Sequence, residues 1–175
     1  TYEKWASPPG KTETERCENT IRAVRNAIAE SSSLNQRGIK VFVQGSYRNR
    51  VNVRKDSDVD IGVMLYDSFI AEYPEGMVRE DFGNSVADYR YPQFKDDLEE
   101  ALVDYFGSAA VERGNKAFDI KENTYHVEAD VVPLFEFRRY WENGTHRAGV
   151  ALRPDRGGRI ENYPERLLDN WPDKP

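Results

Sequence analysis

The sequence predicts an α+β fold, a mixed β-sheet flanked by helices. Short, dense apolar runs such as VFV, VDIGVML and VEADVV have the length and alternation of strands. Two other stretches, after Thr12 and after Pro92, repeat apolar residues at helical spacing. The strands outnumber what a helical bundle holds, yet they do not alternate with helices as in a doubly wound sheet. With 175 residues there is room for one well-filled core, so residues 1–175 are expected to form one domain.

Taken in order, Thr12-Glu13-Thr14-Glu15 has the form of a capping box, and Cys17, Ile21, Val24 and Ile28 follow on one helical face until Ser31-Ser32-Ser33. Ile39 to Val43 is a buried strand, Gly45-Ser46 a sharp turn, and Asp58 to Leu65 a second strand. Tyr66 to Arg90, rich in Gly, Pro and charge, is expected to be a long excursion with little regular structure. Pro92 suits the first turn of a helix with Phe94, Leu98, Leu102 and Tyr105 on one face and Gly107 as its stop. Ala109 to Arg113 and Ala117 to Lys121 form a hairpin around Gly114-Asn115. Tyr125 to Val132 is a strand halted by Pro133, Ala148 to Arg153 is one more, and the tail beyond Pro154 is polar.

Composition narrows the classes. No apolar run is long enough to cross a bilayer, and TYEKWASPPGKTETER lacks the apolar core of a secretory leader, so the cytoplasm is the expected location. A lone cysteine, Cys17, rules out an internal disulfide framework and a cysteine-based zinc site. The net charge of −6 argues against nucleic acid as a partner, although Arg48, Arg50, Arg54 and Lys55 make one basic run.

The chemistry concentrates in three places. In DSDVDIGVML, strand alternation gives Val59, Ile61, Val63 and Leu65 one face, and Asp58, Asp60, Gly62 and Met64 the other. Two carboxylates side by side repel unless a cation lies between them, and hard oxygen donors suit magnesium. The plainer alternative is an edge strand with solvated acids. Upstream, Gly45-Ser46 joins an apolar strand to a polar stretch; glycine there permits close backbone approach to a phosphate, and the Ser46 hydroxyl can bond its oxygen. Downstream, YHVEADVVP places His126, Glu128, Asp130 and Val132 on one face. Asp130, enclosed by Ala129 and Val131, is costly to bury unless paired or ligating. Glu128 shares its face and is the competing acid; Asp130 is preferred as nearer the middle of the strand. His126, without a second histidine nearby, reads as a structural or surface residue.

Gln44-Gly45-Ser46, eleven residues, Asp58-Val59-Asp60 and a later lone acid together resemble the motif of polymerase β-like nucleotidyltransferases. VFVQGSYRNRVNVRKDSDVDIGVML and HVEADVVPLFEFRRY resemble, more narrowly, the bacterial relatives of cyclic GMP-AMP synthase, the CD-NTases of antiphage signalling. The likeness runs from about Trp5 to about Trp171. It implies the polymerase β-like fold and an enzyme joining nucleoside triphosphates into a cyclic or linear oligonucleotide second messenger, with loss of pyrophosphate. It implies two Mg2+ ions, replaceable by Mn2+, held by Asp58, Asp60 and Asp130, which are also the catalytic residues. Gln44, Gly45, Ser46 and Tyr47 would then line the donor phosphates, with the basic run as helpers. The partners implied are ATP or other triphosphates; no protein partner is named. Such enzymes continue into a helical C-terminal lobe, so the chain is expected to be the truncated catalytic core of a longer protein.

Two other functions fit the same residues. One is nucleotide transfer to an RNA end, a small molecule or a protein hydroxyl. The other is a module that binds triphosphate without turnover, which the presence of all three acids disfavours.

Overall fold

The structure is a computed structural model and describes residues 11–44 and 58–163. Helix α1 spans Lys11–Glu30. It buries Cys17, Val24, Ala27 and Ile28, with Ile21 packed beside them, on the stripe their spacing predicts. The helix runs from Lys11, so the Thr12–Glu15 stretch lies inside its bounds.

Strands β1 (Ile39–Gln44) and β2 (Val59–Glu72) pair antiparallel. After helix α2 (Tyr91–Phe106) come the hairpin strands β3 (Val111–Arg113) and β4 (Phe118–Ile120), then β5 (Ala129–Tyr140), β6 (His146–Leu152) and β7 (Ile160–Asn162). β5 is the hub. It lies parallel to β2 along one edge. Its other edge takes β4 against Ala129–Val131 and β6 against Phe135–Tyr140, both antiparallel, with β3 and β7 beyond them. The sheet is therefore mixed.

The two α-helices among the described residues stack on one face. Val59, Ile61, Val63 and Leu65 of β2, Ala129, Val131, Phe135 and Phe137 of β5, and Phe118 and Ile120 of β4 meet Phe94, Leu98, Ala101 and Leu102 of α2 there. The opposite face carries Asp60, Gly62 and Met64 and a smaller apolar cluster of Met64, Leu134 and Val150 with Phe42 and Val132 against it. The Gly107 stop adopts φ 88, as a C-terminal glycine can. Tyr105 departs from the expected buried face: in the last turn it is exposed and packs edge-on against Phe106.

The strand boundaries depart from expectation, and the main departures each have an identifiable cause. β2 does not end at Leu65. A bulge at Tyr66, Asp67 and Ser68 shifts the register, so that Leu65 opposes Phe135 and Phe69 opposes Glu136, and the strand runs on to Glu72. The break in alternation reads as loop in the sequence; the true excursion starts at Tyr73 and holds only a short 3-10 turn, Arg79–Phe82.

Pro133 does not halt β5. It sits opposite the gap between β4 and β6, where its carbonyl accepts from the Tyr91 hydroxyl at 2.9 Å. In a strand the nitrogen and carbonyl of a residue face the same edge, so the missing N–H falls where no ladder needs it.

Moreover, β5 begins at Ala129 and not at Tyr125. The Asn123 side chain accepts the N–H groups of Tyr125 and His126, both at 2.8 Å, and this turn diverts them from a ladder. Tyr125 is consequently exposed. β7 lies in the tail the sequence marks only as polar, and β6 starts two residues earlier than expected.

Candidate active site

The register of the sheet brings the acids together. Asp60 on β2 pairs with Asp130 on β5 in parallel register, and Gln44 at the end of β1 pairs with Asp60 on its other side. Their strand neighbours Val59, Ile61, Ala129 and Val131 are buried in the helix-covered core, so both aspartates project to the opposite face. Each is half-buried. Asp58 stands one residue before β2, exposed, and the Val59 N–H reaches the Glu128 carbonyl at 3.1 Å, joining the starts of the two strands.

Asp130 and Glu128, the two competing acids, are placed differently. Asp130 is inside the ladder beside Asp60; Glu128 is exposed and precedes it. The row also holds an acid the sequence reading passed over. Asp119 on β4 pairs with Asp130 across the antiparallel ladder, with Phe118 and Ile120 buried on either side of it. The available signal was Phe118-Asp119-Ile120, the same apolar–acid–apolar pattern as Ala129-Asp130-Val131.

Electrostatics follow from this crowding. Burial, then the Asp58 charge, raises the Asp60 carboxyl above its ordinary value. The hydrogen bond to Asp119, then burial, then the charges of Asp119, Asp60 and Asp58 push Asp130 up to about 7. Asp58 is also the main cause of the raised Glu128 carboxyl. Among the described residues no cation offsets these acids. Nor do any three His, Cys, Asp or Glu among them close on a single point as a preformed metal cage; the carboxylates are neighbours in a row.

Packing fixes the row from both sides. A Cβ built on Gly62, next along the same face from Asp60, would lie 2.5 Å from the Phe42 ring, so the glycine lets that ring lie flat beside the acids. From the helix side, the buried Thr20 hydroxyl accepts the Val127 N–H at 3.1 Å, and Arg16 donates to the Asn123 carbonyl at 2.7 Å, tying α1 to the segment that enters β5. His126 is buried in this joint, edge-on to Phe106, in keeping with a structural role. The hairpin bearing Asp119 is held by Lys95 and Arg113, which bond Asp155 at 3.0 and 2.9 Å. Gly45, Ser46 and Tyr47, and the basic residues Arg48, Arg50, Arg54 and Lys55, lie outside the described residues.

Known proteins share both the sequence and the fold. A cyclic dipyrimidine nucleotide synthase from Cecembia lonarensis is 43% identical over 166 residues, 95% of this chain and 56% of the relative. Another from Legionella pneumophila is 44% identical over 179 residues, 99% of this chain and 60% of the relative. The solved Rhodothermus marinus CdnE c-UMP-AMP synthase, with Apcpp and Upnpp, superposes with a TM-score of 0.78 at 30% identity, over 96% of this chain and 57% of that one. The chain belongs to the bacterial cyclic GMP-AMP synthase-like CD-NTase family. No protein-family model matches it.

As a CD-NTase it has the polymerase β-like nucleotidyltransferase fold, and it spans a little over half the length of those relatives. CD-NTases generally depend on a divalent metal. The donor set here fits one: the row offers only hard carboxylate oxygens, crowded enough to raise each other's pKa, with no lysine or arginine between them among the described residues.

Proposed function

We propose that this CD-NTase core joins nucleoside triphosphates into a cyclic or linear di- or oligonucleotide second messenger, releasing pyrophosphate, in antiphage signalling. Residues 1–175 act as its catalytic core domain. The single observation behind this is the parallel pairing of Asp60 with Asp130, which sets two carboxylates side by side at the end of two buried strands. The relatives named as cyclic nucleotide synthases, and the R. marinus enzyme solved with two triphosphate analogues, support the same substrates and product class.

In this proposal Asp58, Asp60 and Asp130 hold magnesium, two ions in all, with manganese an acceptable replacement. When bound, the cations neutralise triphosphate charge and make the attacking ribose hydroxyl more acidic. The chain's own residues do the positioning. Asp60 and Asp130 fix where the reacting phosphate sits relative to the sheet, and the buried strands beneath keep them from spreading. Asp130, beside Asp60 in the row, would accept the hydroxyl proton. Gln44, half-buried beside Asp60, Gly45, Ser46 and Tyr47 line the donor phosphates.

The test is incubation of the protein with each labelled triphosphate, singly and in pairs, with magnesium. A phosphatase-resistant product supports a cyclic messenger; a phosphatase-sensitive one supports a linear messenger. Each of Asp60→Ala and Asp130→Asn should lower the rate by at least about a hundredfold. Undiminished product from either variant defeats the assignment.

A further inference from the structure

Three aspartates stand in one transverse row: Asp60 on β2, Asp130 on β5 and Asp119 on β4, each the register partner of the next. Glu112 on β3 pairs with Asp119 and continues the row one strand further. Directly opposed side chains on adjacent strands have Cβ atoms about 5 Å apart, and like charges so placed destabilise a sheet. Phe118 and Ile120 pin β4 into the core, and the Lys95–Asp155–Arg113 network locks the hairpin to α2. The backbone at Asp119 is therefore fixed opposite Asp130. Asp119 is itself exposed, and it hydrogen-bonds the half-buried Asp130 beside it.

We propose that Asp119 is a positioning residue for the cation site: it flanks Asp130 on the side away from Asp60, confines the Asp130 carboxylate toward Asp60, and adds a third carboxylate to the row. It rests on the functional reading above, because it acts through Asp130. Groups that orient a ligating side chain commonly matter ten- to a hundredfold in metal affinity. The same group should carry a stability penalty in the metal-free protein, through repulsion of Asp130.

The experiment is Mn2+ titration of the 175-residue chain, followed by electron paramagnetic resonance, with thermal melting in chelator at pH 8 alongside. Asp119→Asn should weaken Mn2+ binding about tenfold to a hundredfold and raise the metal-free melting temperature. A residue that merely supports the fold would lower that temperature instead. Glu112→Gln, one strand further out, serves as the control and should leave affinity unchanged. Unchanged Mn2+ affinity in Asp119→Asn, with Asp60→Asn and Asp130→Asn still abolishing binding, overturns the role of Asp119 and leaves the cation site standing. Absence of any Mn2+ binding that Asp60→Asn removes brings down the cation site and Asp119 with it.

Discussion

The Thr20 hydroxyl accepts the Val127 N–H at 3.1 Å and donates to the Arg16 carbonyl at 2.8 Å, so one wholly buried oxygen links α1 to the residues that lead into Asp130. Thr20→Val keeps the shape and removes both bonds, leaving a buried N–H without a partner. The expected loss is about 1–3 kcal/mol, read by urea unfolding, against about 0.5 kcal/mol or less for a change at exposed Glu18.

Gly62 faces the Phe42 ring across the β1–β2 ladder. Gly62→Ala should cost about 1–3 kcal/mol, since its methyl group needs space the ring fills. Combined with Phe42→Leu, which withdraws the ring, the alanine should cost clearly less than it does alone. Additive losses in a double-mutant cycle would show that the ring is not what excludes a side chain there.

The crowded acids give the metal-free protein a specific pH dependence. Asp130 is pushed up to about 7 by Asp119, burial and the other aspartates, whereas an unfolded aspartate titrates near 4. The folded state thus holds a proton that the unfolded state has lost, and between about pH 4 and pH 7 stability falls as pH rises. Asp155 acts in a separate window. Held at about 2 chiefly by its bond to Arg113, its contribution is complete above about pH 4 and disappears as pH falls toward 2. Melting curves in chelator should therefore decline from pH 5 to pH 8 in the native sequence and decline less in Asp130→Asn.

Lys95 is almost wholly buried, with its ammonium bonded to the Asn115 carbonyl at 2.9 Å and to Asp155 at 3.0 Å. Lys95→Met retains the stem and removes the charge. About 2 kcal/mol should be lost, the scale of a charged hydrogen bond. Amide exchange should rise in the β3–β4 hairpin more than in α1, because Lys95 ties the hairpin to α2.

Much of this was legible in the chain itself. Helix α2 announces itself by Pro92, the Phe94-Leu98-Leu102 stripe and Gly107, and the β3–β4 hairpin by Gly114-Asn115, because these signals depend on contacts a few residues apart. The aspartates of β2 and β5 could be assigned a common kind of face by alternation alone. Less legible were the passage of β5 through Pro133 and the continuation of β2 beyond its bulge. The first depends on a gap between two strands far away in sequence, the second on which residue of β5 meets Phe69.

The sequence by itself determined the α+β class and the family, and offered the candidate aspartates Asp58, Asp60 and Asp130, since composition, periodicity and motif are properties of neighbours along the chain. Only the tertiary structure decided that Asp60 lies beside Asp130, that Glu128 falls outside the ladder, and that Asp119 joins the row. Register is a relation between strands. Between strands far apart in sequence it is settled by how the buried faces of β2, β4 and β5 pack against α1 and α2.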